Sequence, residues 1–296
     1  MLPSRAKVSA ASIVLLALWL RGKLSHKASY VCHAGGRCPP FTGDPVWDWL
    51  VTDMLVSYGW LSASVVDETW RESLDRLAVL KAAGGMVPHL VAVMVGANDL
   101  SMDEAELRLL AEWPSYNLIF VEPDPAALQA LRLRLKSMNG SNLRTKQLQV
   151  VDAAVCQETE ESTMFYRGPQ LKGREGSLSK RFDYMVETRV RCLQPADLLG
   201  EVGLSAATVD VLHMDIEGHD AEILSMFLDL ENFSPAMVKF EWQVLVNDKG
   251  EVGRARLEGV MDRLSARGYS IHQDGCNLIA ILASLSSRPV APPSLL

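Results

Sequence analysis

LVAVMVGANDLSMDEAELRLLAEWPSYNLIFVEPDPAALQAL, residues 90–131, holds two short apolar runs separated by helix-forming sequence, and that alternation decides the fold. The run LVAVMVG is continuous in apolar residues and too short for a helix of its own, so it reads as a strand buried on both faces. Ser101 and Glu104 form an S-x-x-E capping box, which opens a helix carrying Leu107, Leu110 and Ala111. LIFVEP is the second strand. Asp124 caps the helix after it, Pro125 takes the first helical position, and Leu128, Leu131 and Leu135 mark the buried face. Strand, helix and strand in this order make a parallel pair, and right-handed crossovers leave few ways to connect them.

The same reading extends downstream. LQVVDAAV is a third strand, STMFYR an additional one, and VDVLHMDIEG a central one before a helix burying Ile223, Leu224 and Phe227. AMVKFEW is a further strand, with a helix near 253–267 behind it. YSIHQDGCNLIAIL closes as a hairpin, because Asp274-Gly275 between two apolar runs is a tight-turn signal. Residues 86–283 therefore form a doubly wound α/β domain whose sheet is mainly parallel with an antiparallel last strand, without internal repeats. Residues 284–296, with prolines in PVAPP, read as a disordered tail.

Upstream, residues 46–85 read as a helical extension. Trp47, Leu50, Val51, Met54, Leu55 and Tyr58 fall on one face of a first helix. A second runs from about Ser64 to Ala83 through Val66, Trp70, Leu74 and Leu77, with Gly84-Gly85 as its stop. These helices are expected to cap the core or to narrow a substrate cleft. Residues 28–45 are a linker. In residues 1–27, Arg5 and Lys7 precede the apolar run Val8–Leu20, and Arg21, Lys23 and Lys27 follow it. Thirteen helical residues span roughly 20 Å against a bilayer core of about 30 Å, which fits a signal peptide or a short membrane anchor. That implies the secretory pathway, lumenal or membrane-anchored, with membrane attachment through this segment. An acid-free stretch with several Ser and Arg also suits an organelle transit peptide.

The chain has 296 residues, 48% of them apolar and 22% charged, which excludes a disordered, collagenous or multi-span membrane protein. The first 43 residues carry six Lys or Arg and no acid, leaving 23 basic and 36 acidic residues in the rest. An acidic body repels phosphate backbones, so nucleic acid is excluded as a partner. Of five cysteines, Cys32 and Cys38 flank a Gly-rich CHAGGRC segment and could close a small loop in an oxidising compartment. With His33 they offer three zinc ligands where a structural site takes four, so no metal site is read. Cys156, Cys192 and Cys276 read as buried free thiols.

In a doubly wound sheet the ligand lies at the carboxyl ends of the strands, where strand order reverses. Four such ends are polar here. Gly96-Ala97-Asn98-Asp99 offers a close backbone approach and, in Asn98, tolerance of an unusual turn. Glu122 can accept hydrogen bonds from both hydroxyls of a ribose, or it can share a helix amino-terminal cap with Asp124. Asp152 is suited to an adenine amino group. Asp215-Ile216-Glu217-Gly218-His219-Asp220 has Asp215 and Glu217 on one face if the strand period of two persists. G-x-G-x-x-G, a P-loop lysine and a G-x-S-x-G elbow are all missing, which disfavours hydride transfer, phosphate-bond chemistry and hydrolysis. A ribose-and-adenine ligand without a long pyrophosphate cradle remains.

VGANDLSMDEA, FVEPDPAALQAL, DAAVCQETEESTMFY, VDVLHMDIEGHDAEIL and PAMVKFEWQVL resemble, in order, the motifs of the FkbM family of S-adenosylmethionine-dependent methyltransferases. The resemblance covers roughly residues 90–283, and D-x-E-G-x-D and V-E-P-D-P are its specific parts. It implies a Rossmann-like class I methyltransferase sheet of seven strands. It also implies S-adenosyl-L-methionine as cofactor, with Gly96, Ala97 and Asn98 by the methionine moiety, Glu122 on the ribose, Asp152 and Ala153 by the adenine, and Asp215 near the sulfonium. Asp215, Glu217 and Glu241 are the implied catalytic carboxylates, with His219 either a further base or a solvated helix-start residue. The implied reaction is methyl transfer to a hydroxyl of a glycan or small metabolite. Two departures stand out: Met94 where the family has a polar or acidic residue, and Leu100 where it has glycine. They motivate a second reading, a methyltransferase-like binding module without catalysis. A third has Asp215, Glu217 and Glu241 holding Mg²⁺.

Overall fold

The computed structural model describes residues 64–83, 88–100, 107, 110–138, 146–168, 176–274 and 277–285. The amino-terminal segment, the linker with Cys32 and Cys38, the first extension helix, the Ser101–Glu104 box, Cys276 and the proline-containing tail lie outside the described residues. Among the described residues no helix is long and apolar enough to cross a membrane.

Helix α1 (Ser64–Ala82) buries Trp70, Leu74 and Leu77. They pack on the face of strand β1 (His89–Val95) that carries Leu90, Ala92 and Met94. Val91, Val93 and Val95 of the same strand point into a separate cluster on the other face. That two-sided burial explains the unbroken apolar run, since each such side chain taken out of water contributes roughly 1.5 to 3 kcal/mol. Near the end of α1, Lys81 Nζ donates to His89 O and to Asp210 Oδ2, both at 2.6 Å. Asp210 also accepts from Val91 N at 2.8 Å, so this end of the helix is tied to the amino-terminal edge of the sheet, capping the core there.

Strand β2 (Ser115–Val121), helix α2 (Pro125–Met138) and strand β3 (Lys146–Val151) follow. Asp124 Oδ1 accepts from Ala126 N at 2.7 Å, the expected cap, with Pro125 at the start. The chain next forms β4 (Ala154–Val155), β5 (Glu160–Arg167), β6 (Val186–Leu193) and helix α3 (Pro195–Glu201). It then forms β7 (Val211–Met214), helix α4 (Asp220–Asp229), β8 (Met237–Glu241), helix α5 (Gln243–Ala266), β9 (Tyr269–Asp274) and β10 (Asn277–Leu282).

The main sheet has seven strands in the order β3-β2-β1-β7-β8-β10-β9. β1 runs parallel to β2 and β7, β2 to β3, and β7 to β8, whereas β10 is antiparallel to both β8 and β9. The antiparallel last strand is thus inserted between β8 and β9 rather than set at the sheet edge. The chain moves outward from β1 to β3 and returns to β7 on the other side of β1. That reversal puts the switch point between β1 and β7.

Three local expectations are corrected and a fourth is refined. LQVVDAAV is two strands, because Asp152 and Ala153 interrupt the pairing and β4 joins a second sheet of order β4-β6-β5. STMFYR is the additional strand expected, as part of β5, and it lies in that same small sheet, antiparallel to β6. The helix near 253–267 begins ten residues earlier, at Gln243, and is broken at Gly250, whose φ of 53° and ψ of −129° are not helical. Cys156 and Cys192 are bonded as a disulfide, with Cα atoms 5.9 Å apart, and are not free thiols. Pairing of Ala154 with Cys192 and of Val155 with Leu193 draws them together.

Candidate active site

A cavity of about 260 Å³ opens at the carboxyl ends of β1, β2 and β7, beneath the small sheet. Gly96, Asn98, Glu122, Ala153, Asp215 and Glu217, all singled out from the sequence, line it. Ala97 is buried beside it without lining it. Asp152 turns outward, its side chain 55% exposed and 3.9 Å from Arg132, so its carboxylate does not face the cavity. Glu241 also lies off the lining.

Gly96 has φ of 77°, and a Cβ there would stand 1.9 Å from the carbonyl oxygen of Asp215. Only glycine permits this approach of the β1 tip to the β7 tip. Asn98 takes the left-handed conformation expected of it, with φ of 48°. Glu122 is 4% exposed and spans two loops: Oε2 accepts from Asn98 N and Oε1 from Asp124 N, each at 2.7 Å. Burial pushes its pKa up to about 7 despite those two bonds. Of the two readings of Glu122, the structure shows the one at the helix start. The side chain braces the helix start, and each oxygen keeps a lone pair that a ribose hydroxyl can fill.

Asp215 and Glu217 lie beyond the end of β7, and Glu217 has φ of 55°, so the strand period does not govern them. The turn brings both to the cavity all the same. Glu217 is paired with Arg181, a residue that belongs to no sequence motif. His219 also lines the cavity; its side chain is only 17% exposed and Nε2 lies 3.0 Å from Ser179 Oγ, so it is not a solvated helix-start residue. Burial, then the Lys249 ammonium, lowers its pKa, which keeps the imidazole neutral.

Behind this rim lie two more carboxyls. Asp220 is fully buried and pushed up to about 8, by burial first and then by Asp215. Glu241 is pushed up to about 10, by burial and then by Asp215, Asp220 and Glu217. Both hold their proton at neutral pH. The last Asp of D-x-E-G-x-D was the available signal for Asp220 and the end of DAAVCQETEESTMFY the signal for Phe165, whereas Ser177 and Leu178, which also line the cavity, come from a segment without a motif. Among the described residues no three His, Cys, Asp or Glu side chains are grouped so as to hold a metal ion.

Leu100 has φ of 59°, the conformation that glycine adopts readily, yet its side chain is 1% exposed and packs in the cluster with Ala97 and Leu107. Arg134 donates to its carbonyl at 3.2 Å. The turn is rebuilt around leucine: core burial and this hydrogen bond offset a left-handed cost of roughly 1–2 kcal/mol. Met94, 1% exposed, belongs to the same cluster.

Strand order and a cavity at the switch point define a class I methyltransferase fold. Residues 95–271 match the model of the methyltransferase FkbM domain, more than half of the chain, and the protein belongs to that family. No curated protein matches the chain. Among solved structures, it is similar to methyltransferase FkbM from Methylobacillus flagellatus KT, at 13% identity over 67% of this chain and 45% of that one, with a TM-score of 0.41. The chain thus spans less than half the length of that relative. S-adenosylhomocysteine-bound PaMTH1 from Podospora anserina is 9% identical over 95% of this chain and 99% of that one, with a TM-score of 0.35. Aeropyrum pernix fibrillarin, with natively bound S-adenosyl-L-methionine, is 12% identical over 71% and 75%, with a TM-score of 0.34.

Proposed function

We propose that the protein binds S-adenosyl-L-methionine and transfers its methyl group to a hydroxyl oxygen of a glycan or small metabolite. The observation that carries this reading is the meeting of Gly96, Asn98, Glu122, Asp215 and Glu217 around one cavity. The donor set suits the cofactor: a buried carboxyl with spare lone pairs for a ribose, small Ala153 and Ala154 as a wall for a flat base, and acidic side chains for a cation. When bound, S-adenosyl-L-methionine supplies an electrophilic methyl group on a positively charged sulfur.

The chain's own part is alignment and electrostatics. Gly96 and Asn98 set the loop against which the amino-acid end lies. Glu122 fixes the ribose, and Asp215 with Glu217 keeps the cavity negative. A neutral His219 and the Glu217 carboxylate are the candidates to take the acceptor's proton. Glu241 is not, because it stays protonated and is off the lining; its backbone N donates to Asp220 Oδ1 at 3.3 Å behind the acidic loop. The reading as a non-catalytic module rests on Met94 and Leu100: Met94 is packed in the core, whereas Leu100, although 1% exposed, is also part of the cavity lining, so the binding measurement below discriminates the two readings.

Isothermal titration of the full chain with S-adenosyl-L-methionine and with S-adenosylhomocysteine tests the proposal. Both should bind. Glu122→Ala should weaken binding by roughly 1.5–3 kcal/mol, the value of hydrogen bonds to a charged group. Absence of heat from either compound rejects the reading.

A further inference from the structure

His219 sets a neutral imidazole in the cavity lining, and a different side chain stands at each ring nitrogen. Nε2 lies 3.0 Å from Ser179 Oγ, and Nδ1 lies 3.7 Å from Glu222 Oε2. Glu222 is held from two other elements: Gln157 Nε2, after β4, donates to Oε1, and Arg256 Nη1, on α5, donates to Oε2 at 3.3 Å. The Lys249 ammonium of α5 also stands near the ring and donates to Gly218 O at 2.9 Å.

A neutral imidazole has one N–H and one lone pair, and a carboxylate only accepts. Nδ1 therefore carries the hydrogen, toward Glu222, which leaves the lone pair on Nε2 to accept from the Ser179 hydroxyl. The 3.7 Å separation is long for a hydrogen bond, as contacts between catalytic groups often are before substrate arrives. We propose that Nε2 of His219 is the atom that takes the acceptor's proton, that Glu222 is the positioning residue that fixes the tautomer, and that Ser179 Oγ holds the place the acceptor oxygen takes. This deepens the proposed transfer to a hydroxyl and rests on that reading. It selects His219 over Glu217, whose carboxylate is engaged by Arg181. Ser179 is exposed and follows Leu178 of the cavity lining, so its hydroxyl can turn away without disturbing a packed group. The incoming hydroxyl then gives its proton to Nε2 as its oxygen bonds to the methyl carbon, and the electron pair of the broken carbon–sulfur bond stays on sulfur.

Long-range proton–nitrogen NMR on the full chain, labelled with ¹⁵N in histidine, tests the tautomer, with His219→Gln identifying the signals. His219 should be protonated on Nδ1 in wild type and in Ser179→Ala, and on Nε2 in Glu222→Ala. Diethyl pyrocarbonate, which acylates an unprotonated ring nitrogen, tests access in the chain loaded with S-adenosylhomocysteine. Peptide mass spectra should show His219 modified, and about fivefold faster in Ser179→Ala, the value of one hydrogen bond between neutral groups. A hydrogen on Nε2 in wild type, or one kept on Nδ1 in Glu222→Ala, overturns the proposal. So does a loaded chain in which His219 stays unmodified, or in which Ser179→Ala reacts no faster than wild type. Failure of the wild type to bind S-adenosylhomocysteine overturns the methyltransferase reading instead, and the tautomer, measured on the free chain, does not depend on it.

Discussion

Glu122 gives the most direct test at the scale of one residue. With its pKa near 7 in the free protein, bound ribose hydroxyls favour its ionised form, so cofactor affinity should rise up to tenfold per pH unit below about 7 and level off above it. Titrations from pH 5.5 to 8.5 should show this slope, and Glu122→Gln should abolish it. Stability moves the other way. The folded protein holds a proton that the unfolded chain releases near 4.5, so wild type should lose stability relative to Glu122→Gln between about pH 4.5 and 7, and no further above that. Leu100 answers a different question. Leu100→Gly relieves a left-handed strain of about 1–2 kcal/mol but removes a core side chain worth about 2–5 kcal/mol, so chemical denaturation should show a net loss of up to about 4 kcal/mol, and cofactor binding should weaken. A gain in affinity would contradict the rebuilt turn. Residues at strand tips were legible because glycine and carboxylates stand out where an apolar run ends. Arg181 was not, since its role depends on a partner 36 residues away.

At the scale of elements, α5 shows how two glycines of one helix differ. A Cβ on Gly253 would lie 2.1 Å from Leu245 O, whereas one on Gly250 would meet nothing within 4 Å and suffer only from its backbone angles. Gly250→Ala should therefore cost about 1–3 kcal/mol, and Gly253→Ala clearly more, as read from urea unfolding midpoints. These glycines also explain why only the second half of the helix was legible: they read as an interruption, and the chain resumes the same direction after it. β6 went unread for another reason. Val186, Thr188, Val190 and Cys192 alternate with Glu187, Arg189 and Arg191, a period-two signal, but the charges obscured it. The strands of the main sheet were legible because burial on both faces demands unbroken apolar runs, whereas the small sheet is half-exposed and demands less.

At the scale of the whole molecule, the Cys156–Cys192 bond joins the chain on either side of β5, across a separation of 36 residues. A loop of that size removes about 3–4 kcal/mol of unfolded-state entropy when closed. Cys192→Ser should lower stability by up to that amount. Because Cys156 directly follows Ala153–Val155 on the cavity wall, its S-adenosylhomocysteine affinity should fall as well; thermal melts and titrations check the two effects separately. Sequence reading could not pair these cysteines, since the strand that brings them together was itself unread. The doubly wound plan was legible, because it follows from the alternation of strands and helices, whereas the place of its switch point between β1 and β7 was not, because the order of strands within the sheet is set by their packing.

The bare Cα of Gly96 resting on the carbonyl of Asp215 has a last consequence for anyone wishing to exchange loops in this fold. The loops after β1 and β7 meet there like two halves of a clasp, with room for a hydrogen atom and nothing larger. Grafts that begin before Glu217 would pry the clasp open, whereas exchanges confined to residues 177–185 would leave it shut.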